Sequence, residues 1–146
     1  MGKDGLVIVY TGKGKGKTTA ALGMALRAVG YNYKVCMIQF IKGSWHYGEM
    51  TSSKRLEPEF ELTAVGKGFV GIIDDKSPRE EHEKIALDAL QISKEKIGSE
   101  KYDIIILDEI NYAKKKIIEI ADLVTEMKEI KHPFKFGIKA KRGIDF

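Results

Sequence analysis

An α/β fold, with a mainly parallel sheet and helices on both faces, is what this sequence predicts. Three observations predict it. Two unbroken apolar runs, 6–10 and 104–107, have strand length and no alternation, as strands covered on both faces do. A glycine-rich turn joins the first run to a stretch with helical spacing. Strand-like and helix-like segments then alternate along the chain.

The first strand covers 6–10. The helix after the turn covers 18–29, with Ala21, Met24, Ala25 and Ala28 on one face and Gly30 as its stop. Residues 34–41, carrying Val35, Met37, Ile38 and Phe40, read as a second strand, and 60–65 as a shorter third. A helix start follows: Ser77 suits the N-cap, Pro78 the first helical position, and Glu80 completes a capping box. That helix runs to about residue 97, where Gly98 ends it. Residues 102–107 form the clearest buried strand. After Asn111 two readings stand: one helix over 114–130, or a short helix to Ala121 and then a strand over 123–130.

The chain reads as one domain, 1–146, with no linker and no internal repeat. A chain of this size buries about 70% of the surface it exposes when unfolded. No apolar run approaches the roughly 20 residues that span a bilayer. Residues 1–5 lead directly into the first strand, without a secretory leader. The single cysteine, Cys36, forms no internal disulfide, so a cytoplasmic protein with no membrane attachment is expected. The net charge of +4 suits the handling of a polyphosphate as well as of nucleic acid. No basic stripe interleaved with aromatic residues is present, which argues against single-stranded nucleic acid. His46, His82 and His132 lie far apart, without metal-ligand spacing.

The chemistry concentrates in Thr11, Gly12, Lys13, Gly14, Lys15, Gly16, Lys17, Thr18 and Thr19. Gly16-Lys17-Thr18 matches the end of the phosphate-binding pattern G-x-x-x-x-G-K-[ST], while Thr11 occupies its first glycine position. Glycines at 12, 14 and 16 let the backbone curl so that successive N–H groups face an anion. The helix start adds its positive end. Lys17 brings a full charge to the phosphates, and Thr18 offers a hydroxyl to Mg²⁺. A nucleotide site of this kind needs a carboxylate at the end of another buried strand, and Asp108 and Glu109 supply it.

These residues resemble the ATP:cob(I)alamin (corrinoid) adenosyltransferases of the CobA/BtuR type. The resemblance begins with the loop and continues through Arg27-Ala28, Gln39-Phe40-Ile41-Lys42-Gly43, Gly48-Glu49, Gly68-Phe69 and Leu107-Asp108-Glu109-Ile110-Asn111-Tyr112. It ends with Lys131-His132-Pro133-Phe134, Gly137-Ile138-Lys139-Ala140 and Gly143-Ile144-Asp145. It implies a RecA-like P-loop NTPase fold and transfer of the 5′-deoxyadenosyl group of ATP to Co(I) of a reduced corrinoid, with triphosphate leaving. On this resemblance Lys17 and the loop amides stabilise the triphosphate, Thr18, Asp108 and Glu109 hold Mg²⁺, and Arg27 and Lys42 add positive charge near the phosphates. Phe69 matches the first of an aromatic pair set against the corrin, where Gly71 stands at the second position. A homodimer and a reduced flavoprotein electron donor are also implied.

One departure concerns length. Family members carry a further helix and strand between Ala113 and Lys114. A crossover between parallel strands needs about a dozen residues or more. One βα segment is therefore expected to be absent. The sheet is then one strand short with its edge covered by a partner chain, or the intact protein carries extra residues here. Two other functional classes share the loop. A P-loop kinase or ATPase would leave ADP, and a nucleotide-binding module inactivated by the internal deletion would bind ATP and form no product.

Overall fold

Every ladder among the described residues is parallel, as the alternation of strands and helices predicts. The computed structural model describes residues 5–40, 46–65, 79–110 and 114–144, with the backbone alone at 79–82 and 114–116. In order, the elements are β1 (Ile8–Thr11), α1 (Lys17–Val29), β2 (Val35–Gln39), α2 (Gly48–Ser53), β3 (Phe60–Ala64), α3 (Arg79–Gly98), β4 (Ile104–Asp108), α4 (Lys114–Ile120), β5 (Leu123–Glu126) and a 3₁₀ turn (Pro133–Phe136). Of the two readings after Asn111, the shorter helix followed by a strand is the one observed. The capping residues Ser77 and Pro78 lie outside the described residues.

The chain divides into two compact units, one made of Met1–Gly23 and Ile110–Phe146, the other of Met24–Glu109. The second unit holds a three-stranded sheet in the order β3-β2-β4. Val35 pairs with Phe60 on one side and Ile104 on the other, and the register runs to Gln39 between Ala64 and Asp108. With a neighbour on each edge, all five residues of β2 are buried. Ala25 and Ala28 of α1, Phe60, and Ala89 of α3 complete this core.

Cys36 is buried within β2, as a small core residue. Burial, then the nearby charge of Glu61, pushes its thiol up to about 11. One polar group ties three segments of this unit together. Lys96 of α3 donates to Glu61 of β3 at 2.5 Å and to the hydroxyl of Tyr102 at 3.1 Å. The Tyr102 hydroxyl in turn donates to Glu61.

The first unit holds a two-stranded sheet, β1 beside β5, with Ile8 opposite Leu123 and Thr11 opposite Glu126. The start of the pair is fixed reciprocally. Val7 donates its N–H to the carboxylate of Asp122 at 2.7 Å, and the N–H of Asp122 donates back to the Val7 carbonyl at 2.8 Å. Beyond β5, the His132 ring accepts from the N–H of Phe134 and caps the 3₁₀ turn, and Gly137 closes it at φ 76°. The basic cluster Lys131, Lys135, Lys139, Lys141 and Arg142 is exposed. Within it Lys135 pairs with Glu129 at 2.5 Å, and Lys131 lies 4.9 Å from the centre of the Phe136 ring.

Both runs read as doubly covered strands depart from that reading. Ile8 of β1 is 36% exposed, and Ile104, Ile105, Ile106 and Leu107 of β4 are half-buried. The cause is topological. Among the described residues β1 and β4 each pair along one edge alone. No helix among them is long and apolar enough to cross a membrane.

Candidate functional site

The glycine loop leaves β1 at Thr11 and enters α1 at Lys17. Gly12 and Gly16 have φ of 100° and 102°, a region that side-chain-bearing residues rarely adopt. The Lys17 ammonium folds back over the loop, donating to the carbonyl of Gly12 at 3.0 Å and of Gly14 at 2.7 Å. This puts a cation and the positive end of a helix at one small loop, which is how anions are held. Thr18, in the first turn of α1, is half-buried, whereas Lys13, Lys15 and Thr19 are exposed.

The chain beyond β5 runs against this loop. The N–H of Gly14 donates to the carbonyl of Met127 at 2.7 Å. A Cβ at Gly12 would stand 2.3 Å from that carbonyl oxygen, and one at Gly14 would stand 2.7 Å from the carbonyl carbon. Two of the glycines thus admit a neighbouring backbone as well as a curled loop. The Gly14 amide departs from the expectation that successive N–H groups face an anion, because its proton is used by Met127. No local pattern in the sequence marks Met127 as the neighbour of a loop more than a hundred residues earlier.

Asp108 and Glu109 belong to the other unit, at the carboxyl end of β4. Ligands of open parallel sheets bind outside the carboxyl ends of the strands. Asp108 is buried and faces Gln39 in register on the adjoining strand. The Gln39 side-chain amide donates to Asp108 at 3.2 Å and to Glu49 of α2 at 3.3 Å. Glu109 takes φ 65°, a left-handed conformation that costs a non-glycine residue about 1–3 kcal/mol. Strain of that kind collects where a fold aims side chains for a task. Sequence reasoning missed Gln39 as the partner of Asp108, and Glu49 as the second acceptor of the same amide. The available signal was a lone amide closing an otherwise apolar strand, Val35 to Gln39.

Arg27 is exposed in the last turn of α1, at the opposite end of that helix from the loop. Phe69, Lys42 and Gly71 lie outside the described residues. His46 bonds the Thr51 hydroxyl at 2.9 Å, and the neighbouring Tyr47 is buried.

The sequence pattern of the family described as ATP:corrinoid adenosyltransferase BtuR/CobO/CobP matches residues 3–116 and 112–146. The corrinoid adenosyltransferase of Escherichia coli K12 is 34% identical over 173 aligned positions, spanning 97% of this chain and 86% of the relative. That of Sinorhizobium is 35% identical, over 99% of this chain and 81% of the relative. The corrinoid adenosyltransferase CobA of Salmonella typhimurium is 32% identical, over 97% and 86%. The family match breaks into two stretches that meet at 112–116, directly after β4. The alignment to the Escherichia coli protein has 173 positions against 146 residues in this chain, so the relative carries residues that this chain lacks. Loop, acidic strand end and family pattern agree, and the chain belongs to the ATP:corrinoid adenosyltransferase family.

Proposed function

We propose that this chain transfers the 5′-deoxyadenosyl group of ATP to the reduced cobalt of a corrinoid, with the glycine loop and Lys17 binding the triphosphate that leaves. The observation that supports the loop's role is the Lys17 ammonium lying over the Gly12 and Gly14 carbonyls at the start of α1. Phosphate oxygens would replace those carbonyls as acceptors, and the ammonium would then offset the charge gathering on the leaving group. The bond that breaks joins C5′ to its oxygen, and the bond that forms joins C5′ to cobalt. Co(I) is itself a strong nucleophile, so the protein's tasks are alignment and leaving-group stabilisation.

Asp108, Glu109 and the Thr18 hydroxyl are hard oxygen donors, the chemistry that Mg²⁺ takes. Asp108 suits the part because the Gln39 amide holds its carboxylate. When bound, Mg²⁺ supplies charge that neutralises the triphosphate. Lys13, Lys15, Lys42 and Thr19 add positive charge and polar groups around the nucleotide in this reading. Phe69 packs against the corrin. The reading extends to a homodimer in the cytoplasm, fed by a reduced flavoprotein, on the family's account alone.

The test is a product assay with Mg²⁺, ATP and chemically reduced cobalamin. Triphosphate and adenosylcobalamin are expected. ADP would mark a kinase or ATPase instead. ATP binding without product would mark a module whose turnover left with the missing segment. Lys17→Ala should weaken ATP binding by about 1.5–3 kcal/mol, the worth of a charge-assisted contact. Unchanged affinity in calorimetry would remove Lys17 from the site.

A further inference from the structure

We propose that Gln39 is a positioning residue, whose side-chain amide fixes the Asp108 carboxylate for the divalent cation of the bound nucleotide. The inference rests on the reading in which Asp108 serves Mg²⁺ and ATP. Its basis is the geometry at the carboxyl end of the three-stranded sheet. Gln39 is the last residue of the central strand, in register with Asp108, and is 0% exposed. Its amide nitrogen reaches two carboxylate oxygens, Oδ2 of Asp108 at 3.2 Å and Oε1 of Glu49 at 3.3 Å.

The charges decide which way round the amide sits. Turned over, its oxygen would face two carboxylates. As placed, its two N–H bonds serve one acceptor each. The consequence is that Gln39 Oε1 is buried with no hydrogen-bond partner among the described residues. A buried carbonyl without a donor is destabilising. Methionine or leucine would fill a similar volume in the core without that oxygen. Packing therefore does not account for glutamine at this position. Its amide protons do, because they draw two like charges to one donor and hold Asp108 in a single orientation. The backbone reinforces the alignment, since Phe40 N–H donates to the Asp108 carbonyl at 3.1 Å. The same amide links α2 to β4 through Glu49, so cation binding at Asp108 and the seating of α2 are coupled.

ATP binding without corrinoid tests this, by calorimetry on the whole chain in Mg²⁺ and again in EDTA. Wild type should bind ATP more tightly in Mg²⁺. Gln39→Leu, with Gln39→Met as a second and more adaptable replacement, should lose about tenfold of that Mg²⁺-dependent gain, as happens when a group that orients a metal ligand is removed. Affinity in EDTA should stay at its wild-type value, even where loss of the donor to Asp108 and Glu49 lowers the thermal midpoint. Because Gln39 acts through Asp108, the double variant Gln39→Leu/Asp108→Asn should be no weaker in Mg²⁺ than Asp108→Asn alone.

A full Mg²⁺ gain in both Gln39 variants would overturn the proposal. So would equal losses in Mg²⁺ and EDTA with a lowered midpoint, which would make Gln39 a structural residue only. If wild type itself gains nothing from Mg²⁺, the cation reading of Asp108 falls and takes this inference with it. That outcome is identified by the wild-type arm alone.

Discussion

β2 and β1 are both apolar strands in parallel pairs, yet they meet opposite fates. All five residues of β2 are buried, from Val35 to Gln39. In the other unit Ile8 is 36% exposed, its partner Leu123 52%, and Ile130 beyond β5 91%. Composition does not explain this, because both runs are equally hydrophobic. Neighbours do. β2 has β3 on one edge and β4 on the other, while β1 has β5 alone among the described residues. β4 is intermediate: its Ile-Ile-Ile-Leu run is half-buried beside one partner. An apolar strand is covered by its sheet as much as by its own side chains, and a parallel sheet with open edges leaves apolar surface to water. The family match breaks directly after β4, and the alignment to the Escherichia coli relative has more positions than this chain has residues. The break makes an absent segment the candidate neighbour for the open edge of β4.

The strongest way to break the contrast is to restore that segment. Grafting the residues that the Escherichia coli relative carries at this point between Ala113 and Lys114 should give β4 a second neighbour. Covering the exposed halves of Ile104, Ile105, Ile106 and Leu107 is worth about 3–6 kcal/mol as an upper estimate. The urea midpoint should rise, and the amides of Ile105 and Leu107 should exchange as slowly as those of Met37 and Ile38. A graft that folds but leaves β4 exchange unchanged would show that the open edge is not where the segment belongs.

A paired truncation sharpens the same contrast without adding residues. Ile38→Ala removes buried volume from the centre of β2 and should cost about 2–5 kcal/mol. Leu123→Ala, on a strand open to solvent, should stay within about 0.5 kcal/mol. Equal losses in urea titrations of the two variants would mean that both strands are covered in solution.

Much of this architecture was legible in the sequence because it is local. The strand–loop–helix from Ile8 to Val29, the strand ending at Asp108 and the helix stopping at Gly98 follow from apolar runs, glycines and caps. α2 and the 3₁₀ turn were not legible. Gly48–Ser53 has no side-chain cap to announce it, and the turn depends on the His132 ring accepting from Phe134. For the site, residue types pointed to the loop and to Asp108. The partners that shape them, Gln39 for Asp108 and Met127 for Gly14, are fixed by strand register across long sequence separations. The exposure of β1 and β4 was illegible for the same reason, since a strand's own residues do not say how many neighbours it will have.

The loop offers a test within the exposed unit. Gly12→Ala would place a Cβ 2.3 Å from the Met127 carbonyl oxygen, on a backbone at φ 100°. About 1–3 kcal/mol should be lost from the docking of the chain beyond β5. Amide exchange should speed up at Met127 and Gly14 while Met37 and Ile38 keep their protection. A uniform loss of protection in both units would show that they unfold as one.

The smallest expected effect compares one ion pair from each unit. The Lys96 ammonium, then the Tyr102 hydroxyl, hold the Glu61 carboxyl below its ordinary 4.5. Lys135 does the same for Glu129. In both cases the folded state takes up a proton less readily than the unfolded one. The stabilisation is therefore complete above 4.5 and drains away as pH falls through the folded value. The two differ in surroundings. Glu61 accepts from two groups on separate segments, whereas Glu129 accepts from the exposed Lys135, whose charge is screened by water. Glu61→Gln should remove less than about 1 kcal/mol at pH 7, since the carboxylate is partly exposed, and should flatten the loss of stability as pH falls below 4.5. Glu129→Gln should leave the urea midpoint and its pH dependence where they were. A larger pH effect from Glu129 than from Glu61 would mean that the segment after β5 is more deeply covered in solution than its exposed side chains indicate, and the contrast between the units would then fail at its most exposed point.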